Sequence, residues 1–124
     1  MKSIVTNDAP APIGPYSQAL VVNNMVYLSG QIAIIPETGE LDMANIPSET
    51  KRVMENIKGL LHASGSDFPK VIKCSIFLSD MGNFSAVNEV YARYFKAPYP
   101  ARECVEVACL PKNVNVEISV IASL

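Results

Sequence analysis

The stretch Ser17 to Ile32, SQALVVNNMVYLSGQI, decides how the rest of the chain is read. Two runs rich in Val, Leu and Tyr flank Asn23-Asn24, and asparagine, after glycine, best accepts the positive φ that a two-residue hairpin connection requires. The segment is therefore read as a β-hairpin with strands Ser17 to Val22 and Met25 to Ile32. Before it, Ile4-Val5 is expected to add a short edge strand, and after it Pro36 to Gly39 reads as a turn.

The hairpin lies within a longer segment, Ala9 to Pro36, that carries no charged residue. A membrane span would need about 18 consecutive apolar residues. Pro10, Pro12, Gly14 and Pro15 break the first half of the segment, and Asn23, Asn24, Ser29, Gly30 and Gln31 interrupt the second. Strands covered on both faces account for it better, with core on one side and another subunit or a ligand on the other.

Composition points the same way. The 124 residues make one domain, 1–124. Hydrophobic residues are 49% and charged residues 18% of the chain, the latter below the roughly 25% usual in globular domains. Mean hydropathy is +0.21, so a subunit interface is expected in addition to a core. A net charge of −2 with no basic block disfavours nucleic acid as a partner. The amino-terminal MKSIVTNDAP lacks the apolar run of a secretory signal, so a cytoplasmic location is expected. Cys74, Cys104 and Cys109 are read as reduced thiols. Their spacing and the single histidine, His62, match no zinc pattern, and no metal is expected.

Beyond the hairpin the periods alternate. Pro47 to about Ser64 is read as a helix with Val53, Met54, Ile57, Leu60 and Leu61 on its apolar stripe, ended by Gly65. Val71 to Leu78 reads as a half-buried strand with Ile72, Cys74, Ile76 and Leu78 on one face. Asn83 is expected to cap a second helix whose stripe is Phe84, Val87, Tyr91, Tyr94 and Phe95, and Pro98 and Pro100 are expected to stop it. Ala101 to Ala108 and Val114 to Ala122 complete the strands around a turn at Leu110 to Asn113. The fold class is α+β, with a sheet of about six strands and two helices covering one face.

Alternation puts Arg102, Cys104 and Glu106 together on one strand and Asn115, Glu117 and Ser119 together on the next, and the reading places both sets on one sheet face. Charges on the polar side of a strand are ordinarily just solvated. Arg102 and Glu117 nonetheless offer a chemistry, since a guanidinium grips a carboxylate in two places and a carboxylate can activate water. Together they suit hydrolysis of a small acid. Cys104 reads first as a small half-buried residue and second as a nucleophile, and Tyr16 as a hydrophobic plug after Gly14-Pro15.

Five stretches carry a resemblance: APIGPYSQA at Ala11 to Ala19, YLSGQI at Tyr27 to Ile32, VNEVY at Val87 to Tyr91, YPARECVEVACLPK at Tyr99 to Lys112, and VEISVIA at Val116 to Ala122. In this order, over nearly the whole chain, they are similar to the Rid family of reactive intermediate deaminases, also called YjgF. The resemblance implies a chorismate-mutase-like α+β domain and a homotrimer in which three sheets form a central barrel with active sites in clefts between subunits. It implies hydrolysis of 2-imino acids or their enamine tautomers, such as 2-iminobutanoate and 2-iminopropanoate, to 2-keto acids and ammonia, with no cofactor. Carried over by motif, Arg102 would bind the substrate carboxylate and Glu117 would position or activate water. Tyr16 and Asn88 would line the pocket, Ser29 and Gly30 would form its floor, and Cys104 would act through backbone groups. Glu103 departs from the Ser or Thr common after this arginine. Members of the family have also been described as translation inhibitors or ribonucleases, and a ligand-binding or chaperone-like trimer is a third reading. The acidic balance and the lack of a histidine placed for RNA cleavage favour the deaminase.

Overall fold

The chain begins with a short edge strand, β1 (Lys2–Ile4), paired antiparallel with β2 (Ala19–Val22). Asn23 and Asn24 then take φ of 49° and 61°, the left-handed pair that a type I′ connection needs, and lead into β3 (Met25–Leu28). The computed structural model, which describes residues 1–124, thus contains the expected hairpin with shorter strands. The second strand stops at Leu28, and the chain detaches from the regular ladder through Ser29 and Gly30 before Gln31 pairs with Ile118.

Helix α1 (Ile46–Ala63) starts where the Asn45 side chain accepts a 2.8 Å bond from the Ser48 amide, a cap whose loss ordinarily costs about 1 kcal/mol. Its stripe of Val53, Met54, Ile57, Leu60 and Leu61 is fully buried, and each such side chain contributes about 1.5–3 kcal/mol by leaving water. Gly65, at φ 85°, turns the chain out of the helix.

Strand β4 (Val71–Leu78) corrects one expectation. A bulge between Val71 and Lys73 resets the alternation, so Val71 is buried with Cys74, Ile76 and Leu78, while Ile72 is 46% exposed. Helix α2 (Phe84–Ala92) corrects two more. The Asn83 side chain makes no capping bond; the cap in this region is Asp80, which accepts from the Gly82 amide at 2.7 Å. The helix also ends before the prolines, because Arg93, Tyr94 and Phe95 donate to carbonyls only three residues back and tighten the last turn. Tyr94 and Phe95 nonetheless join the core through ring contacts with Phe68.

Strands β5 (Ala101–Glu106) and β6 (Val116–Ser123) complete a mixed sheet in the order β1-β2-β3-β6-β4-β5. Only the β4–β5 pair is parallel, the strand α2 β strand crossover supplying the direction. Both helices contribute to the one large core, packed on the face formed by Val26, Leu28, Cys74, Ile76, Val116, Ile118 and Val120. The α+β expectation of two helices on one side of a six-stranded sheet holds.

The register corrects the placement of the polar residues. In the parallel pair, Cys74 lies beside Arg102 and Ile76 beside Cys104; in the antiparallel pair, Ile76 faces Ile118 and Phe77 faces Glu117. Arg102, Cys104 and Glu106 therefore share the helix-side face, whereas Glu117 and Ser119 point to the open face. Arg102 and Glu117 do not share a sheet face within one chain.

Candidate functional site

The open-face residue Glu117 is held between two backbone clamps. On its carboxyl side, Gln31 and Ile118 exchange bonds of 2.8 and 3.1 Å. On its amino side, the amides of Asn115 and Val116 donate to Glu49 of α1 at 2.8 and 3.0 Å. Gly30 lies against the Glu117 carboxylate so closely that an added Cβ would sit 2.7 Å from Oε2. Ser29 fixes the adjoining floor, its hydroxyl donating to the Ser17 carbonyl at 2.5 Å and its amide to the Gln18 carbonyl at 3.0 Å. Tyr16 stands at the rim, half exposed, its hydroxyl accepting a 3.4 Å bond from the Ile13 amide.

The wall above this floor is shaped by Gln18. Its buried side chain donates to the carbonyls of Pro10 and Thr6 at 2.8 and 3.1 Å and accepts from the Thr6 amide at 2.9 Å. The charge-free, proline-rich segment is thereby folded over the end of the hairpin. The resulting cleft, about 360 Å³, is lined by Tyr16, Ser29, Gly30 and Glu117 together with apolar Ile13, Ile32, Ile34 and Pro111. Burial in it pushes the Glu117 carboxyl above the ordinary carboxylate range.

A second cleft, about 350 Å³, surrounds Arg102 and is lined by Asn88, Tyr91, Ala92, Tyr99 and Pro100. One terminal guanidinium nitrogen of Arg102 donates to Asn88 Oδ1 at 2.7 Å. The guanidinium carbon lies 5.0 Å from the Tyr91 ring centroid and 5.6 Å from that of Phe84, the range in which a cation is attracted to an aromatic face. A guanidinium carries five N–H donors, of which Asn88 takes one. Burial, followed by the Cys74 thiol beside it, holds the Tyr91 hydroxyl above the usual phenol range, so Tyr91 stays neutral.

Cys104 is half-buried behind Arg102 and packs against the core. Burial raises its thiol, outweighing the lowering by Arg102, so the thiolate needed for nucleophilic attack is disfavoured. Glu103 points to the open face, as its alternation with Arg102 requires. There Lys73 holds it at 2.7 Å and Ser75 donates to it. These two partners keep its carboxyl below the ordinary range. His62 bonds Asp67 at 3.1 Å and lines neither cleft. No three His, Cys, Asp or Glu side chains gather closely enough to hold a metal ion.

The sequence-predicted residues thus form two groups. Tyr16, Ser29, Gly30 and Glu117 line one cleft, and Arg102 and Asn88 line the other, with Cys104 behind it. Helical spacing alone makes Phe84 and Tyr91 core residues, whereas both rings also face Arg102. Their spacing from Asn88, four before and three after, was the available signal that all three share a helix face. Gln18, read only as part of a strand, lies just before β2, and its role depends on a folded loop that periodicity does not describe.

The profile of the family described as Endoribonuclease L-PSP matches residues 6–124. The chain is 46% identical to 2-iminobutanoate/2-iminopropanoate deaminase of Bos taurus, an alignment covering 98% of this chain and 88% of the bovine one. It is 47% identical to Reactive Intermediate Deaminase A, chloroplastic, of Arabidopsis thaliana over 98% of its length, and spans 65% of that longer protein. Among solved structures, E. coli TdcF with bound serine aligns with a TM-score of 0.95 at 41% identity, covering 100% of this chain and 99% of that one.

Proposed function

Because the chain belongs to the Rid family, whose profile carries the description Endoribonuclease L-PSP, we propose that it hydrolyses 2-imino acids such as 2-iminobutanoate and 2-iminopropanoate to 2-keto acids and ammonia. The observation that carries this reading is that the chain offers, in two separate clefts, a carboxylate suited to activating water and a guanidinium suited to gripping a carboxylate. Glu117 is a partly desolvated carboxylate in an uncharged cleft, and Arg102 is a guanidinium fixed by Asn88 and two aromatic rings with N–H groups to spare. The names of the bovine and plant relatives support the substrate class, and the amino acid bound to the bacterial structure supports a small carboxylate as ligand.

In the proposed reaction Arg102 holds the substrate carboxylate through two N–H donors. Glu117 accepts a proton from water as its oxygen adds to the imine carbon. The carbon–nitrogen double bond becomes single, and return of that proton from Glu117 to nitrogen gives the neutral carbinolamine. Glu117 then takes the carbinolamine hydroxyl proton and delivers it to the amino nitrogen as the carbon–nitrogen bond breaks, the carbonyl forms and ammonia leaves. An imine is already electrophilic, so orientation and one carboxylate that carries protons in both steps suffice. Ser29 and Gly30 form the floor, Tyr16 and Asn88 complete the lining, and Cys104 contributes backbone groups only.

Since one chain carries Arg102 and Glu117 on opposite sheet faces, the site is proposed to form between copies in a homotrimer, one supplying the Arg102 cleft and its neighbour the Glu117 cleft. The open face supports association. Tyr27 and Val105 are 43% and 44% exposed there, and Leu20, Phe77 and Ile121 are half-buried beside them. The same reading takes the protein to be cytoplasmic; no helix is long and apolar enough to cross a membrane. The test is release of 2-oxobutanoate and ammonia when dehydratase-generated 2-iminobutanoate is supplied. Turnover indistinguishable from the spontaneous rate, with protein of trimer mass, would overturn the proposal.

A further inference from the structure

Glu49 is a fully buried carboxylate in the first turn of α1, and none of the ion pairs of the chain involves it. A buried charge without a counter-ion must be met by hydrogen-bond donors. Three meet this one. Oε2 accepts from the amides of both Asn115 and Val116, at 2.8 and 3.0 Å, and Oε1 accepts from Asn115 Nδ2 at 2.8 Å. The amino-terminal end of α1 adds its partial positive charge. Asn115 Oδ1 in turn accepts from the Ser79 hydroxyl at 3.3 Å, completing the connection to the end of β4.

These contacts fall on the two residues immediately before Glu117. They catch the chain as it leaves a turn in which Lys112 and Asn113 both have φ of 56°, a conformation that costs non-glycine residues energy and calls for external restraint. The Gln31–Ile118 pair then fixes the chain immediately after Glu117. We propose that Glu49 is a positioning residue for Glu117, setting the height of the water-activating carboxylate above the floor at Gly30. This rests on the catalytic role proposed for Glu117.

The role depends on reach and not on charge. One oxygen of Glu49 takes both backbone amides, so the carbonyl of a glutamine placed there keeps both bonds. Its amide group then needs only a flip of the Asn115 side chain, which the Ser79 hydroxyl can follow. An aspartate keeps the charge but falls one methylene short.

The experiment measures kcat and KM separately for 2-iminobutanoate on the full chain, with folding checked by Tm and mass. The titration of the Glu117 carboxyl is followed by carbon NMR. Glu49→Gln should stay within about threefold of the parent in kcat, whereas Glu49→Asp should lose at least about tenfold with little change in KM, since displacement by about 1 Å can cost up to a hundredfold. In Glu49→Asp the Glu117 titration should also move down towards the ordinary carboxylate value. Wild-type kcat in Glu49→Asp, or a larger loss in Glu49→Gln than in Glu49→Asp, would overturn the assignment.

If Glu49→Asp does not fold, Asn115→Asp opposes two carboxylates at the same contact and should lose kcat, and adding Glu49→Gln should restore it. Failure of the pair to restore turnover counts against the assignment. If Glu117→Gln retains full turnover, the catalytic reading fails by itself. The Glu117 titration in Glu49→Asp then decides whether Glu49 holds that side chain.

Discussion

The Glu117 carboxylate occupies the space beside Gly30 so fully that a Cβ on the glycine would lie 2.7 Å from Oε2 and 2.9 Å from Cδ. The atoms met belong to the end of a flexible side chain, so an alanine would displace the carboxylate more readily than the backbone. Gly30→Ala should therefore fold and assemble normally, with a stability change within about 1 kcal/mol, yet lose on the order of thirtyfold or more in kcat/KM. Thermal unfolding and steady-state imine hydrolysis, run on the same preparation, check both halves.

Burial raises the Glu117 carboxyl above its ordinary value, which fixes the sign of two pH effects. In the proposed reaction Glu117 acts as base in its ionised form, so the acid limb of the kcat profile should lie above the usual carboxylate range and vanish in Glu117→Gln, together with most of the activity. In stability the folded protein binds this proton more tightly than the unfolded chain does. Stability contributed by the protonated form is complete below the unfolded value and falls as pH rises through the folded one. Glu117→Gln should thus be at least as stable as the parent at neutral pH, as denaturant midpoints would show.

Arg102 presents a planar fork already oriented by Asn88 at 2.7 Å and by two aromatic faces. An ammonium cannot reproduce that geometry. Arg102→Lys should lose on the order of 2–4 kcal/mol of transition-state binding, roughly thirty- to a thousandfold in kcat/KM. Its mass in solution should be unchanged. Wild-type turnover would reduce Arg102 to a solvated strand residue.

Cys104→Ser separates a packing role from covalent catalysis. The thiol is raised by burial and lies behind Arg102, so the variant should keep imine hydrolysis within about fivefold, a fall far smaller than loss of a nucleophile produces. Kinetics on mass-checked protein would show it.

Much of this was legible in the sequence because local chemistry dictated it. Asn23-Asn24 carries the hairpin in its own φ preference, and the spacing of Val53, Ile57 and Leu60 needs no knowledge of what they pack against. The bulge at Val71 was not legible, because it arises from pairing with β6. The same limit misplaced Arg102 relative to Glu117. Alternation gives the parity of side chains within one strand, but parity between strands comes from the β4–β5 and β4–β6 registers. Motif resemblance named Asn88 and Arg102 but not their contact, which needs α2 laid beside β5. Glu49 reads in sequence as an ordinary acidic residue at a helix start; only tertiary packing turns it into an anchor for Asn115 and Val116.

The central claim is that Arg102 of one copy and Glu117 of another make one site. Arg102→Ala and Glu117→Gln chains, each inactive alone, should be unfolded, mixed in equal amounts, refolded together and assayed as mass-checked trimers. Random assembly places an intact Arg102 cleft against an intact Glu117 cleft at about one interface in four, so roughly a quarter of wild-type imine hydrolysis should return. Mixed trimers no more active than either variant would contradict the shared site.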